Sequence, residues 1–278
     1  MGLVVTGASG FIGQYVVKEA VKRGWDTIAV SRSSCKRLSG VTYLAVDSYL
    51  DTPPGDFIIH LAEDNNVVAH RYPESVEQDM SVVRALLKKS KGHVIYISSS
   101  LVYGVGYQGL LTEEAPLLGA THYARQKILK EMTILDNMGT VVRISNVYGH
   151  GISRGSVIDD IIRQLCQEGP IVLRNLAPVR DFLLASDAAR AICDLVQFNE
   201  GGIFNVGTGT GHSIGKLAKM IIDVSGQPNR EVVGTTESCN TDVNILSSIK
   251  MTRSTGWTHK YNLREGLVKI LKRRQQEK

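Results

Sequence analysis

The side chains of Tyr123 and Lys127 form a pair that could carry out proton-transfer chemistry. They lie four residues apart in a segment with a helical pattern, which places the phenol and the ammonium group on one face of a helix. A phenol with its ordinary pKa of about 10 is a poor base at neutral pH, and a neighbouring cation favours its ionised form. The spacing therefore predicts an acid/base pair for the interconversion of an alcohol and a carbonyl group.

A run of three serines precedes this pair in the segment Ile97–Gly104, where an apolar strand pattern ends. Hydroxyl groups at the carboxyl end of a parallel strand face the crevice in which ligands bind in open α/β sheets. Serine at such a position is also a common turn former, so the serines alone would not identify a site. Together with Tyr123 and Lys127 they predict a catalytic centre.

The segment Thr6–Gly13 holds a glycine-rich loop between a short apolar strand pattern and an amphipathic helical pattern. In this context the loop amides and the helix N-terminus can hold the pyrophosphate of a dinucleotide. Gly7 is expected to form the tight turn, Gly10 to let the backbone approach the ligand, and Gly13 to let the helix pack closely on the strand. The loop residues predicted to bind the dinucleotide are Gly7, Ser9, Gly10, Phe11, Ile12 and Gly13.

The end of the second predicted strand bears on which dinucleotide binds. NAD enzymes usually carry a carboxylate there, which accepts hydrogen bonds from the ribose, whereas an arginine accommodates the 2′-phosphate of NADP. Ser31 and Arg32 occupy this place and no carboxylate is present, which favours NADP(H) and leaves NAD open. Asp47, directly after the third strand pattern, is placed either to accept a hydrogen bond from the adenine amino group or to cap a turn.

The elements that position these residues alternate between short Val- and Ile-rich runs and amphipathic stretches. This alternation predicts an α/β fold, a Rossmann-type doubly wound parallel sheet with helices on both faces. We expect residues 1–148 to form a dinucleotide-binding domain, to which segments near 177–206 return, and residues 149–278 to form mainly a smaller C-terminal substrate-binding lobe. The predicted strands are Leu3–Val5, Thr27–Val30, Val41–Val46, Phe57–Leu61, Val94–Ile97 and Val141–Ile144.

The composition of the 278-residue chain excludes several classes of protein. Hydrophobic residues make up 43% and charged residues 21%, which are values of globular proteins and not of disordered chains. The net charge is +5, but the basic residues are dispersed, whereas a nucleic-acid binder concentrates them on one face. The 4 cysteines are far apart and indicate neither a metal site nor a disulfide framework. We expect a cytoplasmic protein without membrane or nucleic-acid partners, because no signal peptide or membrane-span pattern occurs.

The motifs above resemble those of the extended short-chain dehydrogenase/reductase family, and the resemblance covers nearly the whole chain. Residues 6–13 are similar to that family's TGxxGxxG signature, and residues 98–104 are similar to its serine-rich strand end. Residues 123–127 are similar to its YxxxK pair. The resemblance extends to RISNVYG at residues 143–149 and to RDF at residues 180–182, which are similar to substrate-binding segments of the family.

The resemblance implies a role for each matching residue. An arginine in the place of Arg180 binds the pyrophosphate of a nucleotide, and guanidinium donors suit phosphate oxygens. The implied catalytic residues are Ser99, Tyr123 and Lys127; the implied cofactor contacts include Leu61, Ala62, Tyr123 and Lys127; the implied substrate contacts are Ser100, Tyr103, Asn146 and Arg180.

The chain also departs from the pattern of that family. Asp79 stands where an asparagine is common, and Leu117–His122 lacks the proline that usually precedes the tyrosine. Glu237 stands near the place of a second phosphate-binding arginine, which weakens the inference of a pyrophosphate-linked sugar. The Thr-Asp-Glu triplet of nucleotide-sugar 4,6-dehydratases is replaced by Ser99–Leu101, which argues against dehydration.

We therefore expect an NADP(H)-dependent reductase of a nucleotide-diphosphate keto sugar, with a 4-keto-6-deoxy hexose as the leading substrate and a homodimer as the assembly. The prediction of a reductase depends chiefly on Arg32, which favours NADP(H). NADPH that is released after each turnover suits net reduction. An NAD-dependent nucleotide-sugar 4-epimerase that uses the same three catalytic residues is the first alternative. A cofactor-binding sensor without turnover is the second, although an intact Ser/Tyr/Lys set argues against it.

Overall fold

The computed structural model describes residues 1–33, 37–63, 73–152, 155–236 and 242–276. Its strands are β1 (Gly2–Thr6), β2 (Asp26–Ser31), β3 (Val41–Ala45), β4 (Phe57–His60), β5 (Val94–Ser99), β6 (Thr140–Ile144), β7 (Asn146–Tyr148), β8 (Ile171–Leu173), β9 (Val179–Leu184), β10 (Gly202–Val206), β11 (Gly211–Ser213), β12 (Val232–Gly234) and β13 (Val243–Asn244). Its α-helices are α1 (Phe11–Lys22), α2 (Pro73–Lys89), α3 (His122–Asp136), α4 (Val157–Gln164), α5 (Ala185–Phe198), α6 (Ile214–Val224), α7 (Ile249–Thr255) and α8 (Leu263–Gln276).

Seven strands form one parallel sheet in the order β10-β6-β5-β4-β1-β2-β3. The chain order reverses between β1 and β4, so the carboxyl ends of β1, β4, β5 and β6 meet at a topological switch point. Open α/β sheets bind their ligands at this place. The predicted fold class is confirmed, and the six predicted strands correspond to β1–β6.

Helices cover both faces of this sheet, and its central strands are accordingly apolar on both sides. One face packs on α1 and α5, where Val16, Val17 and Ile192 are buried together with Val5 and Ile59 of the sheet. The opposite face packs on α2 and α3 through side chains that include Val83, Leu86 and Ile134.

The second half of the chain builds a separate apolar cluster beside the carboxyl edge of the sheet. Strands β11, β9 and β13 form a small sheet with β7 beside β9, and β8 pairs with β12. Helices α4, α6 and α8 bury Ile161, Ile221 and Leu267 against these strands. From this half, α5 packs on α1 and β10 extends the main sheet next to β6. None of the helices in the described ranges is long and apolar enough to cross a membrane.

Candidate active site

The glycine loop follows β1 and leads directly into α1. Gly7 has φ +70°, and a Cβ at this position would lie 2.7 Å from the backbone nitrogen of Ala62. A Cβ at Gly13 would overlap the carbonyl oxygen of Gly7, so the first turn of α1 packs against the loop only because Gly13 lacks a side chain. Gly10 occupies the N-cap of α1 and provides no side-chain cap, which leaves the helix N-terminus suited to an anion. These features fit the pyrophosphate of a dinucleotide.

A cavity of about 410 Å³ opens at the switch point of the sheet. Its wall combines the glycine loop, the ends of β4, β5 and β6, and the N-terminal part of α3. The structure brings together in this wall ten of the residues predicted from the sequence: Gly7, Gly10, Phe11, Ile12, Gly13, Leu61, Ser99, Tyr123, Lys127 and Asn146.

The remaining predicted cofactor residues lie outside this wall. Ser9 and Ala62 are adjacent in sequence to Gly10 and Leu61, which line the cavity. Ser31 ends β2, and its hydroxyl donates to the carbonyl of Ser33 at 2.6 Å. The exposed Arg32 guanidinium lies 5.5 Å from the ring centroid of Tyr49, and Asp47 is exposed after β3. These positions lie beyond the carboxyl ends of β2 and β3, and their roles toward a cofactor stay predictions.

Tyr123 and Lys127 reach the cavity from the first turns of α3. Thr121 caps this helix, and its hydroxyl accepts from the backbone N–H of Ala124 at 3.1 Å. Lys127 is buried, with its Nζ 5.6 Å from the ring centroid of Tyr123, and it donates to the carbonyl oxygen of Ile97 at 2.7 Å. Within the described residues the Tyr123 hydroxyl makes no hydrogen bond, so it is available to a ligand.

The three serines have different surroundings, which sequence alone could not distinguish. Ser98 also lines the cavity, but its hydroxyl donates to the buried carboxylate of Glu131, which pairs with Arg143 at 2.7 Å. Ser100 is buried and lies outside the cavity wall. Ser99 lines the cavity and accepts from the backbone N–H of Leu101 at 3.2 Å, and its own hydroxyl proton has no acceptor in the part of the chain that the structure describes.

Tyr103 does not reach the cavity, because its side chain is fully buried in the core. Its hydroxyl donates to Asn205 at 2.8 Å and accepts from Arg143 at 3.0 Å. Burial raises the pKa of this phenol, so it stays protonated. The structure thus does not bring Tyr103 to the substrate side, and gives its hydroxyl two internal partners instead.

Asn146 and Arg180, which were predicted as substrate contacts, lie in two neighbouring cavities. Asn146 lines the cavity, and its amide donates to the carbonyl oxygen of Asp181 at 3.4 Å. Arg180 lies in a neighbouring cavity, where it donates to the carbonyl oxygen of Asp242 at 2.8 Å and pairs with the Asp242 carboxylate. The carboxylate of Asp181, next in the RDF segment, accepts from Thr208 and Gly209 and is structural.

Glu63 and Ser145 are polar cavity residues that the sequence analysis did not single out. Glu63 follows β4 and points its buried carboxylate at Lys127 and Lys130. Burial alone would raise the pKa of this carboxyl, but the two lysines lower it to about 2. Ser145 is buried at the end of β6, and its hydroxyl has no partner among the described residues. Glu63 could have been predicted from the sequence, because it is an acidic residue shortly after an apolar strand pattern. No sequence pattern near Ser145 predicted a role for it.

Comparison with known proteins identifies the family. Residues 3–207 match the profile of the NAD dependent epimerase/dehydratase family. GDP-6-deoxy-D-talose 4-dehydrogenase of Aggregatibacter actinomycetemcomitans is 27% identical over 241 residues, which cover 81% of this chain and 80% of that protein. The dTDP-4-dehydro-6-deoxyglucose reductase of Escherichia coli is 24% identical over 311 residues, which cover 98% of this chain and 96% of that protein.

A solved structure with a similar fold is the UDP-glucose 4-epimerase of Thermotoga maritima with UDP-glucose. Its TM-score is 0.87 at 24% identity, and the match covers 100% of this chain and 99% of that chain. The family match spans the glycine loop, the serine run and the Tyr–Lys pair that meet in the cavity. The chain therefore belongs to the NAD-dependent epimerase/dehydratase family and is an NAD(P)-dependent enzyme of the extended short-chain dehydrogenase/reductase type.

Proposed function

We propose that the protein is an NADP(H)-dependent reductase of a nucleotide-diphosphate keto sugar, with a 4-keto-6-deoxy hexose as its leading substrate. The observation that carries this proposal is the convergence of Ser99, Tyr123 and Lys127 on one cavity beside the glycine loop. When bound, the dinucleotide supplies the hydride. The Gly7 and Gly13 positions and the N-terminus of α1 hold its pyrophosphate.

The protein supplies the proton and stabilises the developing charge. Tyr123 gives its hydroxyl proton to the carbonyl oxygen of the sugar as that oxygen becomes an alkoxide. Ser99, with its free hydroxyl proton, donates a hydrogen bond to the same oxygen. The Lys127 ammonium lies beside the phenol ring, and it would donate a hydrogen bond to the ribose of the bound cofactor. In the reverse direction the same groups act in the opposite order.

The neighbouring cavity, of about 480 Å³, supports an anionic nucleotide portion in the C-terminal lobe. Its wall contains Arg163, Arg174 and Arg180. Arg163 is paired with Asp159 and Asp160, and Arg180 is paired with Asp242. Arg174 is exposed and has no ion pair among the described residues, so its guanidinium is free for a phosphate.

The two cavities adjoin at the start of α4. Ser156 lines the cavity that holds Tyr123, whereas Gly155 and Val157 line the cavity that holds Arg174. Asn146 lines the cavity that holds Tyr123. Its amide donates a hydrogen bond to the carbonyl oxygen of Asp181 on β9, the strand that also carries Arg180. A sugar joined to a nucleoside diphosphate spans such a pair of cavities, whereas a free sugar fills only one.

The choice between reductase and epimerase is tested by incubation with nucleotide keto sugars and nucleotide hexoses while absorbance at 340 nm is followed. Consumption of NADPH with a keto sugar supports the reductase. Exchange between two sugar isomers without net change at 340 nm supports the NAD-dependent 4-epimerase. Bound cofactor without turnover of any sugar supports the sensor.

The exposed Arg32 directly after β2 supports NADP(H), because its guanidinium can pair with a 2′-phosphate.

We also infer that the protein is a homodimer that associates through α3. Leu129 and Met132 on this helix are 48% and 58% exposed. Exposed apolar side chains that cluster on one helix face mark an association surface. Light scattering after size exclusion should give twice the chain mass for the parent and the chain mass for the variant L129E/M132E. A monomeric parent contradicts the inference.

A further inference from the structure

The carboxylate of Glu63 is an acid inside the cavity that the proposed mechanism has not used. Its side chain is only 7% exposed, and its oxygens contact the ammonium of Lys127 and, at 2.9 Å, that of Lys130. The hydroxyl of Tyr96 donates to it at 2.5 Å. A buried carboxylate with three such donors is firmly held.

The hydrogen bonds of Lys127 can be counted, because an ammonium group has three N–H donors. One donor goes to the carbonyl oxygen of Ile97 at 2.7 Å, and a second goes to Glu63. One donor is therefore left for a ligand in the cavity. Glu63 and Ile97 together fix the ammonium on the side of the cavity where Tyr123 lies.

The charges in this part of the site balance. Lys127 and Lys130 carry two positive charges, and Glu63 and Asp79 carry two negative charges, with Asp79 2.7 Å from Lys130. Within the described ranges Asp79 forms its ion pair with Lys130 and makes no contact with Lys127. Glu63 is therefore the counter-ion of Lys127, and its loss would leave a buried positive charge without compensation.

The other titratable groups around the lysines do not replace this counter-ion. His60 on β4 is neutral near pH 7, because burial lowers its pKa to about 4. Burial and the Glu63 charge raise the pKa of Tyr96 on β5, so it stays protonated. On α3, Tyr123 is the proton donor, and Glu131 is already paired with Arg143.

We propose that Glu63 is a positioning residue of the reaction, which acts through Lys127 by neutralising its charge and fixing its orientation toward the cofactor ribose. This inference rests on the proposed role of Lys127 in the function given above. The buried acid after β4 thereby contributes to how strongly the cofactor is held.

The test compares E63Q with D79N, and uses E77Q as the matched control. Glu77 is an exposed acid of α2 that pairs with Arg84, away from the cavity. The glutamine of E63Q keeps an acceptor for Lys127 but removes the charge. Dissociation constants of NADPH and NADH are measured by calorimetry between pH 7 and 10, with K127M alongside and thermal unfolding of each variant as the folding check.

Without the charge of Glu63, the buried ammonium of Lys127 has no counter-ion, so its charged form costs more to keep in the cavity. We expect E63Q to bind both cofactors about tenfold more weakly than the parent across this pH range. D79N, which keeps the Glu63–Lys127 pair, and E77Q should follow the parent profile. An E63Q profile that coincides with those of the parent and D79N overturns the proposal.

Two further outcomes separate this inference from the proposed function. If the parent binds cofactor with the expected profile but turns over no sugar, the reductase proposal fails and the Glu63 proposal stands, because its readout is binding. If K127M binds cofactor as the parent does, the role of Lys127 is wrong and the Glu63 proposal fails with it. If E63Q does not fold, E63D takes its place, because the shorter side chain moves the carboxylate away from Lys127 by one methylene. The dissociation constants of E63D should change in the same direction as expected for E63Q. Dissociation constants equal to those of the parent overturn the proposal.

Discussion

Replacement of Tyr123 by phenylalanine should abolish turnover and leave stability unchanged. The substitution removes one hydroxyl that makes no hydrogen bond among the described residues, so the free energy of unfolding should stay within about 0.5 kcal/mol of the parent. A positioned acid/base group contributes roughly 10²–10⁴-fold to rate, so the reaction barrier should rise by about 3–5 kcal/mol. Cofactor affinity should change little, because Lys127 and the glycine loop are intact.

Replacement of Tyr103 by phenylalanine is the matched comparison, because the family resemblance predicted that this tyrosine contacts the substrate. Its buried hydroxyl has one hydrogen bond with Asn205 and one with the charged Arg143. A neutral hydrogen bond contributes about 1 kcal/mol and one to a charged group about 1.5–3 kcal/mol, so Y103F should lower the free energy of unfolding by about 2–4 kcal/mol. The turnover of folded Y103F should remain within about threefold of the parent, since this side chain does not line the cavity.

The assay combines urea unfolding with single-turnover oxidation of NADPH at 340 nm, using a nucleotide keto sugar that the parent reduces. The reasoning is refuted if Y123F retains turnover within about tenfold of the parent. It is equally refuted if Y103F loses turnover while its unfolding midpoint is unchanged, since that result would place the Tyr103 hydroxyl against the substrate.

Four further variants test other parts of the site. G13A should lose both stability and cofactor affinity, because the new Cβ overlaps the Gly7 carbonyl; urea unfolding and calorimetry check this. R174A should raise KM for a nucleotide sugar about tenfold at unchanged kcat, in steady-state kinetics. R32D should remove about tenfold or more of NADP(H) preference and leave NAD(H) affinity level or improved, in paired dissociation constants. S145A should unfold at the same urea concentration as the parent, because the Ser145 hydroxyl has no hydrogen-bond partner among the described residues; its KM should rise severalfold, because this hydroxyl lines the cavity.

Features of this protein that depend on local spacing could be predicted from the sequence. The four-residue separation of Tyr123 and Lys127 places both on one face of α3, whatever the rest of the chain does. The glycine loop is local too, since Gly7 and Gly13 act on neighbours in the same strand–loop–helix unit. The parallel sheet follows from alternating strands and helices, because right-handed crossovers leave few other topologies.

Features that depend on distant partners could not be predicted in the same way. Tyr103 faces the core because Arg143, which is 40 residues away, meets its hydroxyl there. Glu63 is tied to Lys130 across 67 residues, and no local pattern records that contact. The sequence could place an acid after β4, but the paired lysines that keep it ionised become visible only once α3 is packed on the sheet.

The distribution of charge divides the site into two parts with different tasks. Around Lys127 the positive charges are matched by Glu63 and Asp79, so a ligand there meets oriented donors and little net field. In the adjoining cavity, Arg174 has no counter-ion among the described residues. In the function proposed above, binding energy for an anionic substrate comes from this cavity, remote from the reacting carbon, and offsets the cost of orienting the carbonyl toward Tyr123. A substrate without phosphates would lose that contribution while keeping all of the groups that carry out the chemistry.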